Sequence, residues 1–220
     1  MIIAIDGPAG AGKSTIAKIV AQKLGFLYID TGAMYRALTL KAIESKIDIT
    51  DTAKIIAMAR STQVSLENDA KSLRVLLDGI DVSEAIRETR VTRYVSDVAK
   101  IKEVREILVQ LQRKLGSQRN ALLDGRDIGT VVFPQAELKF YLDANFKERA
   151  KRRFNELKAL GKEVTLEDIE HDVQNRDTID STREHAPLKK ADDAISIDTT
   201  PLSIEQVVEK LLMYISSHHG

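Results

Sequence analysis

The chain has 220 residues, enough for one sizeable core with room for an insertion. Its 33 Lys and Arg balance 33 Asp and Glu, so no global charge draws it to nucleic acid or to an anionic membrane. The lack of Cys excludes disulfides and thiol chemistry, and no apolar run approaches the roughly 20 residues of a membrane span. Of the four His, His218 and His219 are expected in a solvated tail rather than at a metal. A cytoplasmic chain is expected, because its first residues read as a core strand and not as a cleaved signal.

Ile2-Ile3-Ala4-Ile5 reads as a buried parallel strand. Gly7, Pro8, Ala9, Gly10, Ala11, Gly12, Lys13 and Ser14 follow with the spacing G-x-x-x-x-G-K-[ST], and Thr15 comes next. Ile16, Ile19, Val20 and Leu24 then recur at helical spacing up to Gly25. Strand, glycine-rich loop and helix are the context in which backbone N–H groups and a helix N-terminus cradle a triphosphate. Lys13 would reach the β- and γ-phosphates, and Ser14 would offer its hydroxyl to Mg²⁺. The motif points to a nucleoside triphosphate and leaves the chemistry open.

Phe26 to Ile29 forms a second apolar strand that runs into Asp30-Thr31-Gly32, with a helix from Ala33 to about Lys46. The C-terminal end of a parallel strand is where α/β sheets bind ligands, so Asp30 and Thr31 suit substrate; helix capping stays open for Asp30. After a short helix over Asp51–Arg60 the period changes. Thr62–Leu66, Leu73–Leu77 and Ile80–Val82 alternate as strands, joined by a polar stretch over 67–72 and the tight turn Asp78-Gly79. They read as an antiparallel insertion over 61–90, after which Ser83 can cap a short helical turn.

A helical region from Val91 to Leu115, broken near Lys100 and ended by Gly116, carries Arg105 and Arg113. Ala121-Leu122-Leu123 leads into Asp124-Gly125-Arg126-Asp127, an arginine flanked by acids at a strand end, which suggests a site. Leu138–Leu142 is the fourth parallel strand, and Asn145 opens a helix that runs to Gly161. In its first turns Lys147 and Lys151 read as solvated, whereas for Arg149 and Arg153 a triphosphate contact and a solvated face are both open. Another helix starts after Thr165. The polar stretch Arg176–His185, with Asp180 and Arg183, then suits a mobile covering segment. Ile195–Ile197 continues into Asp198-Thr199-Thr200, and a last helix from Ser203 buries Val207, Val208, Leu211, Leu212 and Ile215.

The expected fold is α/β: a doubly wound five-stranded parallel sheet with a small antiparallel insertion and a mobile lid. One unit spans 1–220, with its core in 1–60 and 91–220, the lid at about 149–185 and the insertion at 61–90. Arg36, Arg105, Arg126, Arg176 and Arg183 belong to segments that should converge on the C-terminal edge of the sheet. Moving phosphate onto a second phosphate means holding two polyanions together, which takes more cations than a phosphate loop supplies. A phosphate acceptor also needs no general base, since it is mostly dianionic near neutral pH (second pKa about 6). A small-metabolite kinase on the same scaffold is the nearest alternative, and a nucleotide switch would need a guanine-reading motif that is not visible.

The phosphate loop, Asp30-Thr31-Gly32-Ala33-Met34-Tyr35-Arg36, the run from Asp124 to Pro134 and the Arg-rich closing segment together resemble bacterial-type cytidylate kinase over essentially the whole chain. The resemblance implies a nucleoside monophosphate kinase fold, with the insertion in the CMP-binding region. It also implies ATP-dependent phosphorylation of CMP and dCMP with Mg²⁺, in pyrimidine nucleotide metabolism. Position by position, it implies that Thr31, Arg105 and Asp127 face the cytosine, with Asp180 and Arg176 on the ribose side. Arg36, Arg126 and Arg183 would hold phosphate, the last two acting with Lys13 in catalysis. Arg149 and Arg153, from their shared helical face rather than from the resemblance, are assigned to the ATP side. Physical chemistry agrees: Asp127 can accept from the exocyclic amine of cytosine and Arg105 can donate to its acceptors, which favours CMP over UMP. A monomer is the simpler expectation.

Overall fold

The computed structural model describes residues 1–68 and 73–218, so positions 69–72 of the polar connection and the expected tail residue His219 lie outside the described residues. In β1 (Ile2–Asp6), Ile3 and Ile5 turn to one face and Ala4 to the other. β2 (Leu27–Asp30) and β6 (Ala121–Gly125) do the same, with Tyr28 and Leu122 on the Ile3 side and Ile29 and Leu123 on the Ala4 side. Both faces are apolar, so both need a helical layer. α1 (Lys13–Leu24) and α8 (Ile204–His218) cover one through Ile16, Val20 and Leu211. α2 (Thr31–Glu44), α4 (Thr89–Ala99) and α5 (Lys102–Gly116) cover the other through Leu38, Val98 and Leu108.

With β7 (Leu138–Asp143) and β8 (Ile195–Asp198) the sheet runs β2-β6-β1-β7-β8, every pair parallel. The expected doubly wound sheet is therefore present. The register pairs Ile5 with Asp124 and Asp30 with Asp124, so strand-end acids gather on one edge. Gly7 leaves that edge at φ +149°, where a Cβ would lie 1.9 Å from the Leu142 carbonyl oxygen. Only glycine lets the loop pass β7 so closely.

β3 (Val64–Asn68), β4 (Leu73–Leu77) and β5 (Ile80–Asp81) form the expected antiparallel insertion after α3 (Thr52–Ser61). Val64, Val75 and Leu77 are buried in the α2-side core, so the insertion is docked on the main layer. Ser83 caps no helix: its hydroxyl donates to Asp81 and accepts from the Val75 N–H, closing a turn at the sheet edge. Ala85–Arg87 is only a 3₁₀ turn. The break near Lys100 falls as expected between α4 and α5. Gly116 is the last residue of α5 rather than a residue beyond it. A Cβ there would lie 2.7 Å from the Phe133 ring, so packing explains this glycine.

α6 (Phe146–Ala159) and α7 (Leu166–Thr182) pair around a small core of their own, Leu157, Ile169 and Val173. The Arg176–His185 stretch is not a separate covering segment: Arg176 to Thr182 are the last turns of α7. Ile169, Val173, Arg176, Asp180 and Arg183 recur at spacings of four and three, one stripe that changes from apolar to ionic along the chain. His218, likewise, closes α8 instead of lying in a tail. Among the described residues no helix is long and apolar enough to cross a membrane.

Candidate active site

A cavity of about 270 Å³ opens at the C-terminal edge of the sheet. Ala9, Gly10, Gly12, Lys13, Ser14 and Thr15 line it from the phosphate loop; Gly7, Pro8 and Ala11 do not reach the lining. Lys13 is buried and its Nζ donates to the Pro8 carbonyl at 2.6 Å. Burial first, and then the Arg126 charge, push its ammonium well below the usual lysine range. A cation held at that cost is poised to receive a counter-ion.

Ser14 Oγ donates to Asp124 Oδ2 at 2.7 Å, and the Tyr28 hydroxyl donates to Asp124 Oδ1 at 2.9 Å. Burial, with Asp30 next to it, raises the Asp124 carboxyl to about 6. Asp30 takes both roles open to it. It accepts from the Ala33 N–H at 2.7 Å as N-cap of α2, which starts at Thr31, and it pairs with Arg36 at 3.1 Å. Thr31 Oγ1 donates to the Asp124 carbonyl at 2.7 Å.

Opposite the loop, Arg105 and Asp127 meet at 2.5 Å, both almost fully buried. Arg183 Nη2 stands 3.6 Å from Asp127, and Arg126 Nε donates to Asp180 at 2.9 Å. Burial alone would raise the Asp180 carboxyl; Arg126, Arg176 and Arg183 hold it below its usual value. Arg105 also lies over the Tyr35 ring, 5.3 Å from its centroid. These groups line the cavity, with Arg36, Arg153 and Arg176.

Arg149 does not join them. Its Nε donates to the Ala144 carbonyl and its Nη1 to the Ala9 carbonyl, both at 3.0 Å, and it pairs with Asp177. It braces the back of the loop, away from the cavity lining. Arg153 does line the cavity while pairing with Glu156 at 2.8 Å. Within the expected insertion over 61–90, Arg87 is the described residue that reaches the lining.

Asp6 lies beneath this edge and accepts from the Ile128 and Gly129 N–H groups at 2.8 and 2.7 Å, holding the turn that carries Asp127. Burial raises its carboxyl from 3.8 to about 7, against the pull of those two bonds. Between those values the folded chain binds a proton that the unfolded chain lacks, so this group makes stability fall as pH rises. Urea midpoints of wild type and Asp6→Asn, measured from about pH 4 to 8, should show that fall in wild type and a flatter curve in the variant. Parallel curves would contradict this assignment.

Four buried guanidinium nitrogens around the cavity, Arg36 Nε, Arg105 Nε, Arg176 Nε and Arg183 Nη2, have no hydrogen-bond partner among the described residues. Burial and the neighbouring Arg126 charge lower Arg176 to about 10. Buried donors are almost always satisfied. Arg36, Arg105 and Arg183 pair with carboxylates through other nitrogens, so what the cavity lacks is further acceptors.

The model of the family described as cytidylate kinase matches residues 3–217. The chain belongs to the cytidylate kinase family. It is 54% identical over 210 residues to the cytidylate kinase of Caldicellulosiruptor saccharolyticus, covering 96% of this chain and 93% of that one. The cytidylate kinase of Clostridioides difficile is 51% identical over 216 residues, 98% of each chain. A solved gluconokinase from Sinorhizobium meliloti superposes with a TM-score of 0.50 at 10% identity, covering 98% of this chain and 91% of that one, which bears on the fold alone. As a cytidylate kinase the chain is an ATP-dependent phosphotransferase acting on CMP and dCMP, and its cavity combines the glycine-rich loop with a second cationic half.

The residues that line this kinase's cavity include several without a role in the sequence reading, among them Tyr35, Arg87, Ser96 and Asp124. Asp124 had a signal, an apolar strand ending in an acid at the sheet edge next to the phosphate-loop strand. Ser96 donates to Asp180 at 3.3 Å from a helix whose polar positions look solvated in sequence, so it had none.

Proposed function

We propose that the phosphate loop holds ATP and that the arginine-rich half holds the CMP phosphate, for in-line transfer of the γ-phosphoryl group. The unsatisfied guanidinium nitrogens carry this reading, because two facing phosphates supply the missing acceptors. Lys13, Arg126 and Arg183 neutralise charge as it moves between the phosphates, Arg36 holds the acceptor phosphate, and Arg176 stands with Asp180 on the ribose side. Thr31, Arg105 and Asp127 read the cytosine, and Asp180 takes the ribose side. Asp127 already has Arg105 as its partner, so the base meets a preformed acid–guanidinium pair instead of two free groups. No side chain need act as base toward a dianionic phosphate.

Mg²⁺ takes hard oxygen ligands and keeps several waters. The Ser14 hydroxyl and the Asp124 carboxylate, 2.7 Å apart beside the loop, are such a donor set, and we assign them to hold the ion that accompanies ATP. When bound, the ion would neutralise phosphate charge.

The α6–α7 pair, with its own small core, is the lid that shuts water out during transfer. We read the chain as a cytoplasmic monomer, which suits a Cys-free protein with a complete cavity in one chain. ADP formation from ATP and Mg²⁺ tests the reading: it should be rapid with CMP and nearly absent without it. Equal ADP formation in both would mark a hydrolase or a switch.

A further inference from the structure

Both backbone polar groups of Ala9 are held by side chains of the lid helices. Its N–H donates to Asp177 Oδ1 at 3.3 Å, and its carbonyl accepts from Arg149 Nη1 at 3.0 Å. The same Arg149 Nη1 donates to Asp177 Oδ2 at 2.5 Å, which closes a ring of three hydrogen bonds around one residue of the phosphate loop. Arg149 is fixed from behind by its bond to the Ala144 carbonyl and by the Phe146 ring, 5.7 Å from the guanidinium carbon. The next loop residue is seated as tightly, since a Cβ on Gly10 would lie 2.8 Å from the Arg149 carbonyl oxygen. Asp177 comes one residue after Arg176 on α7, outside the ionic stripe of Arg176, Asp180 and Arg183 and outside the cavity lining.

We propose that Asp177 is a positioning residue for the donor nucleotide, pinning the Ala9 corner of the phosphate loop to α6 and α7. Without Asp177, Arg149 would be a buried cation stripped of its carboxylate, and the Ala9 N–H would lose its acceptor. Paired with Asp177, it holds the carbonyl of Ala9 while the carboxylate holds the N–H. Loop shape and the docking of the lid helices become one arrangement. The residue that the sequence places among ATP contacts, Arg149, then serves ATP through the backbone it holds.

This inference rests on the loop being the ATP site, and the experiment separates the two. ATP with Mg²⁺ is titrated into the wild type, Asp177→Asn, Asp177→Ala, Arg149→Ala, the Asp177→Ala/Arg149→Ala double variant and Lys13→Ala. KM for ATP and for CMP and thermal midpoints are measured alongside. The dissociation constant and KM for ATP should rise about tenfold in Asp177→Ala and less in Asp177→Asn, which keeps an acceptor for the Ala9 N–H. KM for CMP should stay within about twofold, and the double variant should be no worse than either single one. If Asp177→Ala proves too unstable, Asp177→Asn carries the test. A lower thermal midpoint with unchanged ATP binding would overturn the proposal and leave Asp177 purely structural. Equal losses for ATP and CMP would also overturn it. If Lys13→Ala left ATP binding unchanged as well, the loop assignment itself would fall.

Discussion

Lys13→Ala is expected to lower kcat on the order of 10³-fold while the protein stays folded. The ammonium is buried, its described hydrogen bond goes to the Pro8 carbonyl, and burial together with Arg126 already pushes it toward losing its proton. Such a group contributes little to folding and much to a triphosphate that brings it a counter-charge. Removing it should therefore leave the thermal midpoint unchanged or raise it, a pattern a structural lysine does not give. Wild-type turnover in Lys13→Ala, or a collapse of the fold with no separate loss of kcat, would be incompatible with the role given to the phosphate loop.

The second large effect concerns base choice. Asp127→Ala is expected to abolish most of the preference for CMP over UMP and to destabilise the fold by about 3–5 kcal/mol. The stability loss follows from Arg105, which would be left buried without its carboxylate and with Arg183 close by. Asp127→Asn separates the two consequences. Its amide keeps the volume and can offer an N–H to the carbonyl that uracil presents where cytosine has an amine. UMP should then gain relative to CMP by more than tenfold in kcat/KM, with a smaller loss of stability. Discrimination of wild-type strength in both variants would remove Asp127 from base reading.

The fold was legible because its signals are local. Apolar strands ending in Gly, Asp or Thr, a motif with its proper flanks and turn residues between alternating strands need no long-range information. Element ends moved by a few residues where caps intervened: Asp30 caps α2 straight from the strand, so no loop separates them. The site was legible where a residue sits at a strand end, as with Arg126 and Asp127. It was less so on helices. The stripe Ile169, Val173, Arg176, Asp180, Arg183 is helical in period, but its second half is ionic, and a polar stretch without apolar anchors reads as loose chain. In the fold, Arg176, Asp180 and Arg183 are the face of α7 and its C-cap that lines the cavity. Arg149 shows where periodicity stops being informative. Its spacing from Arg153 puts both on one helical face, yet the loop carbonyl at Ala9 and the carboxylate of Asp177 hold it beneath the loop, contacts between segments about 140 and 28 residues away in sequence. Ser83 failed for a similar reason, since the partner that claims it is the backbone of a neighbouring strand.

One cleft is proposed to hold a triphosphate on the Lys13 side and a cytosine nucleotide on the Arg105–Asp127 side. Initial rates of ADP formation by the wild-type chain, with ATP and Mg²⁺ against CMP, dCMP, UMP, AMP and GMP in turn, test it most directly. The two cytosine nucleotides should be turned over, and UMP, AMP and GMP should lag far behind in kcat/KM. Comparable rates with a purine nucleotide, or with UMP, would contradict it.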